Sequence, residues 1–142
     1  MKHKLLYLFG FLCFLITACA PLPPTMADIE AKKFQPLSDK AVIYIVRPVV
    51  DISMAGPLSL SGVGPMSTFQ GTYYRWEVEP GKRRIETAGA SVSSVTINAQ
   101  PGQMYFVQHT VVGSRRGGIA SAWVQRIDAD TGRRMVSQAQ HL

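Results

Sequence analysis

Short strand-like runs separated by turn residues are the feature that most constrains the fold of this chain. Residues 42–46, Val-Ile-Tyr-Ile-Val, form a β-branched and aromatic run typical of a buried strand. Residues 73–79 alternate between apolar and polar side chains, which predicts an antiparallel strand with one buried face. Residues 104–112 form the longest predicted strand, and residues 134–136 are expected to form the last one. No segment shows sustained helical spacing.

Turn residues divide these strands at regular intervals. Pro80-Gly81 and Pro101-Gly102 both stand between predicted strands, and they suit type II turns because Pro pre-sets one φ and Gly accepts a positive φ next to it. Residues 128–132, Asp-Ala-Asp-Thr-Gly, are predicted to form a longer hairpin loop. Strands that recur about every ten residues with such turns indicate a sandwich or a small barrel. The length of 142 residues supports one modest domain.

The N-terminal segment has the pattern of a secretory signal peptide. A short basic start is followed by an apolar run over residues 5–16 and two small residues. Residues 16–19, Ile-Thr-Ala-Cys, resemble the bacterial lipobox, in which the Cys receives a diacylglyceryl group and becomes the first mature residue. An uncleaved transmembrane anchor is the weaker alternative because the run is shorter than the roughly 20 residues that span a bilayer. We therefore predict a signal peptide over residues 1–18 and lipidation at Cys19.

The predicted anchor sets expectations for location and organisation. Several long acyl chains hold a protein on a membrane essentially permanently, at about 0.8 kcal/mol for each buried methylene. Ala20 follows the Cys, where lipoproteins retained in the inner membrane typically carry Asp, so the resemblance implies the outer membrane, on its periplasmic face rather than the cell surface. Residues 19–40 are Pro-rich and are expected to be the lipidated Cys and a tether, and residues 41–142 the β domain. After cleavage Cys19 is the sole cysteine, so no disulfide is expected.

Several ordered motifs resemble one known family. They lie at residues 41–48, 60–62, 71–73, 78–82 and 101–107, and they include both Pro-Gly steps. In this order they resemble the bacterial lipoprotein family catalogued as domain of unknown function 2846. The resemblance implies a lipid-anchored β-sandwich somewhat like the PEGA-type surface domains, with no established activity. The expected fold is therefore all-β, a single antiparallel β-sandwich of about seven to eight strands.

Residue types that carry catalysis do not assemble into a recognisable site. Glu77 and Glu79 share a strand face, where a solvated charged surface is favoured over a catalytic carboxylate pair. Asp128 and Asp130 lack the further oxygen ligands of a calcium loop. His109 has no Cys or second core His with which to bind zinc or activate a nucleophile. We predict a non-enzyme without a metal or cofactor.

Arginine dominates the charge of the predicted domain. The chain has a formal net charge of +6, and within residues 41–142 ten basic residues, nine of them Arg, stand against six carboxylates. Guanidinium groups favour bidentate contacts with phosphate or carboxylate. Three Arg pairs lie beside predicted turns and are the candidate partner-binding residues: Arg83, Arg84, Arg115, Arg116, Arg133 and Arg134. Solubilising loop charge is the alternative reading. Nucleic acid is disfavoured because the compartment is wrong and no aromatic-basic motif is present.

Two functional hypotheses follow from these features. The first is a non-catalytic lipid-anchored envelope protein, a structural or adaptor module that binds protein partners by edge-strand pairing or through the Arg-bearing loops. The alternative is an envelope-binding module that recognises peptidoglycan or anionic lipid headgroups through those loops. Salt separates the two, since binding of Arg to polyanions weakens steeply with ionic strength. The sequence leaves the oligomeric state open.

Overall fold

The computed structural model describes residues 23–49, 52–88, 92–114 and 116–142. These residues form two helices, α1 (Met26–Ala31) and α2 (Ala129–Gln138), and nine strands. The strands are β1 (Ala41–Arg47), β2 (Gly56–Leu60), β3 (Gly64–Thr68), β4 (Thr72–Val78), β5 (Gly81–Thr87), β6 (Ser94–Ala99), β7 (Met104–Gly113), β8 (Ile119–Ile127) and β9 (Gln140–His141).

The strands form two facing sheets, which confirms the predicted β-sandwich. Sheet 1 has the order β8-β7-β1-β4-β9, and sheet 2 has the order β3-β2-β5-β6. Most neighbours are antiparallel, but β1 pairs with β7, and β4 with β9, in parallel. The expectation of a purely antiparallel sandwich is therefore wrong for these two pairs.

The two Pro-Gly steps explain one parallel pair, because each carries the chain from one sheet to the other. The step at residues 80–81 joins β4 of sheet 1 to β5 of sheet 2, and the step at residues 101–102 joins β6 of sheet 2 to β7 of sheet 1. Gly102 has the positive φ predicted for it, +73°, and the Gln103 N–H donates to the Gln100 carbonyl at 3.2 Å. The chain thus re-enters sheet 1 beside β1 and runs in the same direction.

Sheet 1 is covered on both faces, which gives the domain three layers. Side chains from both sheets fill the space between them, among them Ile43, Trp76, Leu58 and Ile85. A second apolar cluster covers the outer face of sheet 1 and includes helical residues. Every residue of β1 is consequently buried, as its continuous β-branched and aromatic run predicts.

The helix α2 corrects two predictions. Residues 128–132 do not form a hairpin loop, and residues 134–136 do not form a strand. Residues 129–132 and 134–136 belong to this helix instead. Asp128 is its N-cap and accepts a hydrogen bond from the Thr131 N–H at 2.8 Å. Gly132 and Val136, one turn apart, are buried against sheet 1. The Asp-Thr-Gly sequence thus starts a packed helix instead of reversing a strand.

The expected tether also folds where the structure describes it. Thr25 caps α1 by accepting a hydrogen bond from the Asp28 N–H at 3.1 Å. Ala31 is buried, and Phe34 and Leu37 pack into the cluster on the outer face of sheet 1. Residues 25–37 are therefore part of the domain, since they supply apolar cover that this sheet face needs. None of the described helices is long and apolar enough to cross a membrane.

Two ends of the sandwich are used as reference points below. At the Arg47 end, β1 ends opposite the start of β4, and the residue 69–71 turn, residues 52–55 and the β7–β8 hairpin also lie there. At the Val78 end, β4 ends opposite the start of β1, next to the two Pro-Gly steps and the β2–β3 turn.

Candidate functional site: an open strand edge in sheet 1

One long strand of sheet 1 lacks a neighbour along most of one side. β4 pairs with β1 over its whole length, but β9 pairs only with Thr72 and Tyr73 on the other side. Among the residues that the structure describes, no strand pairs with residues 74–78 on that side. The Tyr73 carbonyl faces β9, since it accepts from the Leu142 N–H at 2.9 Å. Backbone groups alternate sides along a strand, so those of Arg75 and Glu77 face the same open edge.

A groove of about 600 Å³ runs along this open edge. The segment 74–77 of β4 forms one side, and α1 together with residues 35–37 forms the other. This wall carries Ala27, Ala31, Pro36 and Leu37 together with the polar Glu30 and Gln35, so the groove exposes polar and apolar surface in about equal amounts. The groove thus offers backbone hydrogen-bonding groups beside small apolar side chains, which is the surface that an extended peptide strand requires.

Two charged residues of β4 give the groove its electrostatic character. The Arg75 guanidinium forms an ion pair with Glu77, two residues along the same face. Burial by itself lowers the pKa of Arg75, but Glu77 and Tyr44 outweigh it, so the pKa of Arg75 lies above its ordinary value. The Nε of Arg75 is buried and has no hydrogen-bond partner among the described residues. The arginine therefore stays charged, while its Nε–H is buried and not open to the groove.

Buried polar contacts hold the helical wall of the groove in place. The Tyr44 hydroxyl donates to the Ala31 carbonyl at 2.7 Å, and the Tyr73 hydroxyl donates to Asp28 Oδ1 at 2.8 Å. The Lys32 ammonium donates to Asp28 Oδ2 at 2.9 Å and to the carbonyl of Ala139, the residue after α2, at 2.7 Å. These bonds join α1 to sheet 1 and to the C-terminal segment.

The same contacts shift the ionisation of the groups involved. Burial raises the pKa of Asp28, but hydrogen bonds from Lys32 and Tyr73 outweigh it, so the pKa of Asp28 lies below its ordinary value. Burial and the neighbouring Asp28 carboxylate raise the pKa of Tyr73. Burial likewise raises the pKa of Tyr44. At neutral pH the wall is therefore held by an ionised Asp28 and two neutral tyrosines.

The first predicted arginine pair contacts its own surroundings at the Val78 end. Arg83 Nη2 donates to the Glu79 carbonyl at 2.7 Å. Arg84 forms an ion pair with Glu86, two residues further along β5. Both arginines belong to β5 of sheet 2, and neither lines the groove beside β4.

The other two pairs lie in different parts of the fold. Arg133 and Arg134 are exposed on α2, where the Arg133 guanidinium lies 5.8 Å from the ring centre of Phe34. Arg116 is exposed in the β7–β8 hairpin at the Arg47 end. Arg115 and Cys19 lie outside the described residues. The described members of the three pairs thus form no common surface.

The residues considered for catalysis have structural contacts. Asp128 caps α2, and this hydrogen bonding from Thr131 lowers the pKa of Asp128. Glu79 lies 3.5 Å from the Lys40 ammonium. His109 is buried, with its Nδ1 2.8 Å from Thr68 Oγ1. No group of three His, Cys, Asp or Glu residues positioned to hold a metal ion occurs in the described ranges.

The sequence indicated strands with open edges in general but not this site. The exposed edge of β4 depends on the short β9 and on α1, and neither was predicted. One signal for α1 is present in the chain: Thr25 stands three residues before Asp28, the spacing of an N-terminal capping motif.

The fold and the site together define a β-sandwich domain with an open strand edge beside a helical wall. No protein-family model matches the chain, and no curated protein matches it. Membership of the lipoprotein family therefore stays a prediction, which rests on the sequence motifs of this chain alone.

Proposed function

We propose that this protein is a non-catalytic, lipid-anchored envelope protein that acts as an adaptor, and that it binds an extended segment of a partner protein along the open edge of β4. The anchor is Cys19, and the proposed location is the periplasmic face of the outer membrane. The lipobox-like residues 16–19 and the Ala at position 20 support this part of the proposal.

The observation that carries the adaptor role is the unpaired edge at residues 74–78. An added strand gains main-chain hydrogen bonds from an edge of this kind, and side pockets give it specificity. The ion pair between Arg75 and Glu77 lies on the same edge, and charged residues on an edge strand disfavour unspecific pairing with other sheets. The groove thus combines an available backbone with protection against aggregation.

The alternative, recognition of peptidoglycan or lipid headgroups through all three arginine pairs, has less support. Arg84 forms an ion pair within β5, Arg133 stacks near Phe34, and Arg116 lies at the other end from Arg83. A polyanion would contact these groups one at a time. The alternative still includes binding of peptidoglycan or lipid headgroups through a single arginine pair. Such binding would weaken steeply as the salt concentration rises.

Site-specific crosslinking in cells tests the adaptor role. A photoreactive residue at Gln35, on the groove wall, is compared with one at Asn98, on the exposed face of sheet 2. We expect a crosslinked partner of defined mass from position 35 only. Equal products from both positions, or none from position 35, would contradict the proposed site.

A matched pair of substitutions isolates the backbone contribution. Glu77→Pro removes an outward-facing N–H from the edge, whereas Glu77→Ala keeps it, and both remove the ion pair with Arg75. We expect Glu77→Pro to abolish the product at Gln35 and Glu77→Ala to retain it. Equal products from the two variants would show that the partner does not pair with the strand.

A further inference from the structure

We infer that the Arg47 end of the sandwich docks on the surface of an anionic phospholipid bilayer. This inference rests on the proposed lipid anchor at Cys19. Its starting point is that residues 25–37 are packed against sheet 1 and do not form a tether.

The exit point of the chain lies at the Arg47 end. Pro23 and Pro24 line a pocket with residues 137–141. Within that segment the Gln140 N–H donates to the Gly71 carbonyl at 2.9 Å, and the Gly71 N–H donates to the Arg47 carbonyl at 3.0 Å. The first described residues therefore lie beside the end at which β1 terminates.

Chain length limits how far this end can stand from the membrane. Cys19 and Pro23 are four residues apart, and a fully extended chain spans at most about 3.6 Å per residue, so they lie within about 14 Å of each other. A lipid-bearing Cys19 sits at the bilayer interface, so the Arg47 end must lie close to the headgroups.

Exposed apolar side chains are concentrated at this same end. Five of the ten exposed large apolar residues in the described ranges lie in its loops or strand ends: Val49, Met54, Phe69, Val92 and Val112. Val63, in the β2–β3 turn, is the one such residue at the Val78 end in those ranges. Side chains of this kind enter the boundary between headgroups and acyl chains when a protein lies on a membrane.

The charge of the Arg47 end is compatible with an anionic surface. Arg116 is exposed in its hairpin, and no exposed Asp or Glu lies at this end among the described residues. The Val78 end has mixed charge, because its exposed carboxylates stand beside the exposed cations Lys82 and Arg126, and Glu79 is paired with Lys40. Attraction of Arg116 to anionic headgroups therefore adds to an orientation that the exposed apolar side chains set.

Tryptophan fluorescence in vesicles tests the docking on the full lipidated protein. Phe69 and Val63 flank β3 at opposite ends and are 47% and 54% exposed, so Phe69→Trp and Val63→Trp are a matched pair of probes. A Trp123→Phe background leaves Trp76, which is 6% exposed, as the constant core signal and as the check on folding. The vesicles contain phosphatidylethanolamine and phosphatidylglycerol, with or without lipids brominated near the carbonyl.

Flotation is read first, and fluorescence second. If the protein does not float with the vesicles, the proposed anchor fails and the docking inference fails with it. If it floats, we expect Phe69→Trp to shift to the blue and lose intensity to brominated lipid, with Val63→Trp unaffected. Quenching of neither probe, or of Val63→Trp, in floated protein would overturn the docking while leaving the anchor intact.

Charge and competing occupants are tested in the same assay. We expect quenching of Phe69→Trp to weaken in phosphatidylcholine vesicles, in high salt and with Arg116→Glu. Quenching that is indifferent to all three changes would contradict the choice of an anionic surface. Loss of quenching together with a crosslinked dimer through the Phe69 turn would show that a second copy covers this end instead.

Discussion

Gly132→Ala gives a quantitative test of how α2 packs on sheet 1. A Cβ placed on Gly132 would lie 2.2, 2.4 and 2.5 Å from three atoms of Phe106, including its Cβ, far inside contact distance. The Phe106 ring cannot shift easily because it stacks on Tyr44, with ring centres 5.2 Å apart and an angle of 11° between the planes. Relief of the overlap therefore requires movement of the helix or of two buried rings.

Two opposing effects determine the size of the change. Ala is a better helix former than Gly by about 1 kcal/mol in a helix interior. Overpacking of a close-packed site costs about 1–3 kcal/mol, and this overlap belongs at the upper end of that range. The free energy of unfolding should therefore fall by about 1–2 kcal/mol. In urea, with a slope of about 1–3 kcal/mol/M, the midpoint should fall by about 1 M.

Two further variants separate packing from helix propensity. Ser137→Ala changes an exposed residue of α2 and should alter stability by no more than about 0.5 kcal/mol. Phe106→Ala should make Gly132→Ala less costly when the two are combined, because it removes two of the three overlapping atoms, Cγ and Cδ1. If Gly132→Ala stabilises the protein by the full propensity gain, α2 does not lie on Phe106, and the packing described above is wrong.

Three other measurements test the helical wall and the anchor. Because the pKa of Asp28 is lower in the folded chain than in the unfolded chain, ionised Asp28 stabilises the fold above about pH 4, and this stabilisation is lost as the pH falls through the folded-state pKa. The free energy of unfolding should therefore fall less steeply with decreasing pH in Asp28→Asn than in the native chain. Tyr44→Phe removes the hydrogen bond to the Ala31 carbonyl and should lower stability by about 1 kcal/mol in urea unfolding, whereas a change near zero would show that α1 is not held by this bond. Intact mass of membrane-extracted protein should show a mature chain that starts at Cys19 and carries acyl groups, and Cys19→Ala that remains membrane-bound at full precursor mass would refute the anchor.

Local patterns in the sequence predicted the strands that form the sandwich. β1 is buried on both faces and has apolar residues at consecutive positions, whereas β4 is buried mainly on one face and alternates apolar with polar residues. The residue types of a strand therefore indicate which of its faces are buried. The Pro101-Gly102 turn was predictable for the same reason, since a positive φ at Gly102 has a strong residue preference. Predictions of this local kind were confirmed for β1, β4 and the Pro101-Gly102 turn, whereas the loop predicted at residues 128–132 and the strand predicted at residues 134–136 were wrong.

Features that depend on distant contacts were not predictable in this way. The parallel pairing of β1 with β7 results from chain crossings between the sheets, and alternation within a strand does not specify its partner. The Asp-Thr-Gly sequence at residues 130–132 suits a turn as well as the first turn of a helix. Packing against Phe106 decides in favour of the helix, because only Gly fits at position 132.

The packing of residues 25–37 links the fold to both proposals. These residues cover the outer face of sheet 1, and in doing so they form the wall of the groove beside β4 and bring Pro23 to the Arg47 end. β4 runs from the Arg47 end toward the Val78 end, so in the proposed orientation a strand added at its edge would extend away from the bilayer. Leu142 bonds to Tyr73 on the part of that edge nearest the Arg47 end, which leaves residues 74–78 for the proposed partner. The two proposals together predict that a partner segment approaches from the side opposite the bilayer, and that crosslinks from Gln35 survive any substitution at Phe69 that abolishes bilayer docking.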